Sequence, residues 1–176
     1  MALSKIQAES MNLADTYAFT GTVSGAGGGI FESQLFHMQH IEASTVGGGS
    51  ASVGFNDRVI NSTVVNQISG ASLSSNQFTL PSGTYILFAQ AHAHNINRNY
   101  LAIYNVTNSG LAKIGRSNYS SGTSHADIWC RLTPSGTETF KLQHYAEIAN
   151  SSTQAFGIES ASTTNTFLNL LIWKAD

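Results

Sequence analysis

The stretch 77-QFTLPSGTYILFAQAHAH-94 holds two strand patterns around one turn signal. The short run 77-QFTL-80 alternates, 81-PSG-83 breaks it, and 84-TYILFAQAHAH-94 resumes as a long strand. Successive side chains of a strand point to opposite faces. Tyr85, Leu87, Ala89, Ala91 and Ala93 therefore share one face, and Thr84, Ile86, Phe88, Gln90, His92 and His94 share the other. Both faces begin apolar, so both must be covered near Tyr85–Phe88. One face then becomes small and the other polar.

The run 166-TFLNLLIWK-174 repeats this pattern, with Phe167, Leu171 and Trp173 on one side and Leu168, Leu170 and Ile172 on the other. A strand apolar on both faces is expected in the middle of its sheet, covered by a second layer or a second subunit. Further strand patterns occupy 30–43, 59–68, 99–106, 126–132, 138–148 and 154–160. Turn-rich pieces separate them: 47-GGGSASVG-54, 69-SGASLSSN-76, 107-TNSG-110, 133-TPSG-136 and 161-ASTTN-165. Many short strands with regular turns, and no long amphipathic helix, predict an all-β sandwich or jelly roll.

Residues 1–29 differ from the rest. Leu3, Ile6, Met11, Leu13, Tyr17 and Phe19 are apolar without defining a face, and 24-SGAGGG-29 follows as a glycine hinge. We expect an attachment arm over 1–29 ahead of one domain over 30–176. A chain of 176 residues suits one domain with a full core.

Charged residues are 10% of the chain and the net charge is −2, against roughly 25% charged in ordinary soluble domains. Amides and hydroxyls cost less to desolvate than ions, so this composition is compatible with extensive subunit burial. The lack of a basic block argues against nucleic-acid binding through phosphates. Apolar runs fall short of the ~20 residues of a membrane span, and the first ten residues carry no secretory apolar core. The single cysteine, Cys130, excludes an intrachain disulfide and is expected as a buried thiol. The sequons at Asn61, Asn105, Asn118 and Asn150 are expected as chance matches in a chain so rich in Asn, Ser and Thr.

The block 72-SLSSNQFTLPSGTYILFAQ-90, followed by 101-LAIYN-105, resembles the central part of C1q-like domains, where an F-T-x-P-x-G-x-Y stretch precedes a strand near the subunit interface. The pieces 138–148 and 166–176 resemble their closing strands. Residues 58–85, with 101-LAIYNVT-107 and 139-TFKLQHY-145, are similar to C1q-like domains of bacteriophage tail-fibre and other virion proteins, and 3–26 is similar to N-terminal segments of phage structural proteins. The resemblance implies a ten-stranded jelly roll related to tumour necrosis factor, assembled as a homotrimer without enzymatic activity. On it rests the expectation of a trimeric capsid decoration or cement protein on the virion surface, made in the host cytoplasm and held by its arm. The alternative is a tail-fibre head or receptor-binding protein for a host surface glycan. Ile86, Phe88, Gln90, His92, His94, Leu168, Leu170 and Ile172 are the expected trimer-interface residues. No collagen-like stalk and no long shaft accompany the domain.

His92 and His94, at i and i+2 on a strand, face the same way and can share a cation. A threefold axis would supply further ligands by repetition. The plainer reading is two polar residues where the strand leaves the core, with no cofactor. His37 and His40, at i and i+3, face opposite ways. The run 124-SHAD-127 holds Ser, His and Asp side by side, but a catalytic relay is built from distant segments. Neither 25-GAGGG-29 nor 47-GGGSASVG-54 has dinucleotide or P-loop spacing. Tyr100, Tyr104, Tyr119, Tyr145, Trp129 and Trp173 can stack on sugars, although aromatic residues dominate cores and interfaces in any case.

Overall fold

The computed structural model describes residues 34–161 and 163–175. Leu3, Ile6, Met11, Leu13, Tyr17 and Phe19, with the rest of the expected arm and hinge, lie outside the described residues. The described residues form β1 (Leu35–Glu42), β2 (Gly54–Asp57), β3 (Ser62–Asn66), β4 (Ser72–Ser74), β5 (Gln77–Leu80) and β6 (Tyr85–His94). Then come β7 (Asn97–Asn105), β8 (Gly110–Ile114), β9 (Asn118–Ser120), β10 (Thr123–Leu132), β11 (Glu138–Ala146) and β12 (Asn165–Lys174). A five-stranded sheet has the order β10-β6-β12-β1-β3. A seven-stranded sheet has the order β4-β5-β11-β7-β8, with β2 paired to β11 and β9 to β7. The fold is an all-β jelly roll of two antiparallel sheets.

The turn at 81–83 carries the chain from one sheet to the other, because β5 pairs with β11 while β6 pairs with β10 and β12. The Tyr85 hydroxyl donates to the Pro81 carbonyl at 3.1 Å and closes this crossover. On the far side of the turn, Tyr85, Leu87, Ala89 and Ala91 enter the core between the sheets. They meet Phe78 and Leu80 of β5, Leu101 and Ile103 of β7, and Phe140 and Leu142 of β11 in one buried cluster. The strongly alternating burial of β6 follows from the period-2 pattern in the sequence.

The expected central strand is β12, between β6 and β1. Its register pairs Leu168 with Ala91, Leu170 with Ala89 and Ile172 with Leu87. Opposed residues share a face, so Leu168, Leu170 and Ile172 point into the core and are fully buried there. The expectation that these three join the subunit contact is corrected: Asn169, Leu171 and Trp173 occupy the outer face of that strand. Both faces of β12 are apolar, and only pairing with the alanine side of β6 distinguishes them.

The expected strand at 154–160 is instead a turn and an extended segment. Its backbone bonds with the glycine loop: Gly48 N–H donates to Gly157 O at 2.9 Å, Gly49 N–H to Thr153 O at 2.7 Å, and Phe156 N–H to Gly49 O at 3.1 Å. A Cβ on Gly48 would stand 2.4 Å from the Phe156 carbonyl oxygen, so glycine is what lets the two loops touch. The apolar residues of this segment, Ala155 and Phe156, close a second small core with Ala51, Ala93, Ile96 and Ala146. The described residues hold twelve strands, against the ten that the resemblance implies.

Candidate assembly face and histidine pair

The outer face of the five-stranded sheet is laid out by register. Trp129 opposes Phe88, and Leu171 opposes Phe88 on the other side. Beside them, Trp173 opposes both Ile86 and Leu35. Trp129 is 66% exposed, and its ring lies 5.5 Å from Phe88 and 6.4 Å from Trp173. Ile86, Phe88, Leu171, Leu35 and Trp173 are half-buried. Next along the strands comes a row of amides: Gln90 is exposed, and Gln39 Nε2 donates to Asn169 Oδ1 at 2.8 Å. The face carries little charge. Arg131 stands at one corner, and Asp127 is held by Arg116 at 3.1 Å.

A histidine row follows. His125 of β10 directly opposes His92 of β6, with Nε2 to Nε2 at 3.3 Å and ring centroids at 4.4 Å. The Phe167 ring packs edge-on against His92 at 5.9 Å and against His40 at 5.6 Å. His94 shares the face of His92, as its spacing predicts. Its Nε2 instead meets Asn95 Nδ2 at 3.0 Å, and its Nδ1 meets Thr123 Oγ1 at 3.3 Å. His37 turns outward to Asn169, and His40 turns inward to Glu42.

Behind this row lies Arg58, which sequence reasoning did not single out. Its guanidinium is buried and donates to the carbonyls of His92 at 3.3 Å, Phe156 at 3.1 Å and Phe167 at 3.3 Å. It also sits over the Phe156 ring, 4.5 Å from the centroid. Among the described residues no carboxylate pairs with it. Burial alone pulls its pKa down to about 9. Burial, then the charges of His125 and Arg58, hold His92 at about 4. His144 is fully buried, stacked on Phe156 and bonded through Nε2 to Asn99 Oδ1 at 3.2 Å. Burial and the Arg58 charge hold it well below the ordinary histidine range. No sequence signal marks Arg58, because its partners are backbone carbonyls that every residue possesses.

The other candidates separate in space. His125 and Asp127 point outward with Arg116, while Ser124, one residue along the strand, faces away from His125 and receives Asn118 Nδ2 at 3.3 Å. Ser124, His125 and Asp127 therefore form no relay. Arg116, Ser117, Asn118, His125 and Asp127 line an open polar crevice of about 300 Å³. On the outer face of the seven-stranded sheet, Phe55, Tyr145 and Tyr100 make a cross-strand ladder, with the two tyrosine rings stacked at 4.8 Å. Tyr104 lies beneath Lys141, which pairs with Asp57 at 2.8 Å. Among the described residues no group of three or more His, Cys, Asp or Glu side chains is placed to hold a metal ion.

No protein-family model and no curated protein matches the chain. Solved structures match it in fold. The globular domain of zebrafish complement 1qA protein superposes with a TM-score of 0.51 at 11% identity, covering 82% of this chain and 98% of that one. Murine APRIL, solved at pH 5.0, gives 0.51 at 13% identity over 80% of this chain and 98% of the other. At such identities the likeness is one of fold, and the fold is the C1q/tumour necrosis factor-like jelly roll.

Proposed function

We propose that this chain is a non-enzymatic assembly module that works as a homotrimer on a bacteriophage virion, as a capsid decoration or cement protein attached through its N-terminal segment. The observation that carries the assembly reading is the outer face of the five-stranded sheet. It presents a tryptophan 66% exposed beside half-buried Phe88, Ile86, Leu171 and Trp173, with charge only at its margins. Exposed apolar patches of this kind mark contact surfaces, and an obligate contact buries about 2,000 Å² or more. Threefold order and virion placement are supported by the sequence resemblance of 58–85, 101–107 and 139–145 to phage C1q-like domains.

The test has three parts. Light scattering at micromolar concentration is expected to give three times the chain mass, and a stable monomer overturns the assembly reading. Imaging of labelled protein on the particle is expected to place it at capsid lattice axes. Deleting residues 1–24 is expected to leave domain melting nearly unchanged and to abolish attachment. A second reading, a tail-borne receptor-binding head, is favoured by the Phe55–Tyr145–Tyr100 ladder. That ladder stays open to a glycan when the opposite face is covered, and label at the tail would support this reading over the first.

A further inference from the structure

We propose that His92 and His125 form a two-histidine clip for a transition-metal ion of zinc's preference, one ion per chain. The pairing is a product of register: β6 and β10 are neighbours, and the two histidines stand directly opposite on the same outer face. Their Nε2 atoms are 3.3 Å apart. Two nitrogens bound to one tetrahedral zinc at roughly 2.0–2.1 Å each lie about 3.3 Å from one another. The clip therefore already has the bite that the ion needs. A hydrogen bond between the two rings is the competing use of this geometry, and the titrations below distinguish it from metal binding.

His92 is fixed before any ion arrives. Its strand is anchored by the core residues Ala91 and Ala93, and its ring rests on Phe167. His125 is exposed and supplies the entry side. Asp127, two residues from His125 on the same face, is occupied by Arg116, so water completes the coordination. His92 Nδ1 is buried without an acceptor, and a ligating histidine normally hands its second N–H to one. Loss of such support weakens sites by about 10–100-fold, which places the clip at micromolar rather than nanomolar affinity. The site does not depend on the proposed trimer.

Untagged full-length protein is titrated with zinc by calorimetry and with cobalt(II) by absorbance, beside His92→Gln, His125→Gln and His94→Gln. The expected result is micromolar zinc binding at one ion per chain, weakened at least tenfold in the first two variants and unchanged in the third. His125 is exposed, so His125→Gln tests the clip even if His92→Gln folds poorly. Absence of saturable binding overturns the proposal. So does one ion per three chains, or loss in His94→Gln with retention in His125→Gln.

Discussion

Acidification from about pH 7.5 to about pH 5 should cost this fold roughly 3–4 kcal/mol, most of it through histidines that cannot charge in place. His144 is fully buried and held well below its ordinary range, by burial first and by Arg58 second. In the unfolded chain the same ring titrates near pH 6.5. Its folded pKa is the lower one, so only the unfolded state takes up the proton. The contribution is whole above pH 6.5 and shrinks as the pH falls below it. At pH 5 a ring that stays neutral in the fold costs about 2 kcal/mol by that linkage. His40 adds less: burial lowers it, but its bond to Glu42 pulls the other way. His92 gains its proton only near pH 4. Its partial exposure screens its share to about 1 kcal/mol.

The carboxylates do not blur this window. Asp57 is desolvated, yet its bonds to Lys141 and Gln143 win and lower its pKa. Its contribution is therefore lost only below the ordinary carboxylate range. The assay is urea unfolding followed by the fluorescence of Trp129 and Trp173, at one fixed protein concentration because assembly shifts apparent stability. His144→Gln should shrink the difference between the two pH values by about 2 kcal/mol, whatever its effect on stability at neutral pH. Equal wild-type stability at both pH values, or an identical pH dependence in the variant, would refute the reasoning.

Trp129→Glu should convert the assembly to monomers by light scattering, since roughly 150 Å² of apolar surface per chain, worth about 4 kcal/mol, is replaced by a charge. Gly157→Ala should lower stability by about 3 kcal/mol or more: the glycine has φ +148, and a Cβ there would lie 2.0 Å from a Phe167 ring carbon. Urea melts check it, and a variant of native stability would mean that the Phe167 ring can move aside. Cys130 should react with a disulfide reagent at about pH 8 at least a hundredfold more slowly folded than unfolded, because burial pushes its thiol up to about 11 against the opposing charge of Lys113.

The strands legible in the sequence are those whose alternation is imposed by a face on the core. β5 was bounded to the residue, and β6, β7, β11 and β12 to within two. β2, β4 and β9 were not, because each is three or four residues long and sits in glycine, serine or asparagine-rich chain. Ala155 and Phe156 mimicked a strand because a docked loop can bury apolar side chains as well as a sheet can. The outer position of His92 followed from parity alone. Its partner did not, since His125 reaches it only through a sheet neighbour that is not adjacent in sequence.

The order of the five-stranded sheet also bears on how the protein is made. β1 finds its inner neighbour in β12, with Leu35 opposite Trp173. During synthesis β1 emerges before the other described strands, and the strand it needs, β12, emerges after all of them. The sheet cannot close until residues 165–174 have left the ribosome, and long-range pairings of this kind are slow to form. The tryptophan-bearing surface is thus completed only after β12 has been made. Until then a nascent chain has no assembled face to offer its neighbour on the same message, and joining of copies waits on the synthesis of β12 instead of competing with the folding of the earlier strands.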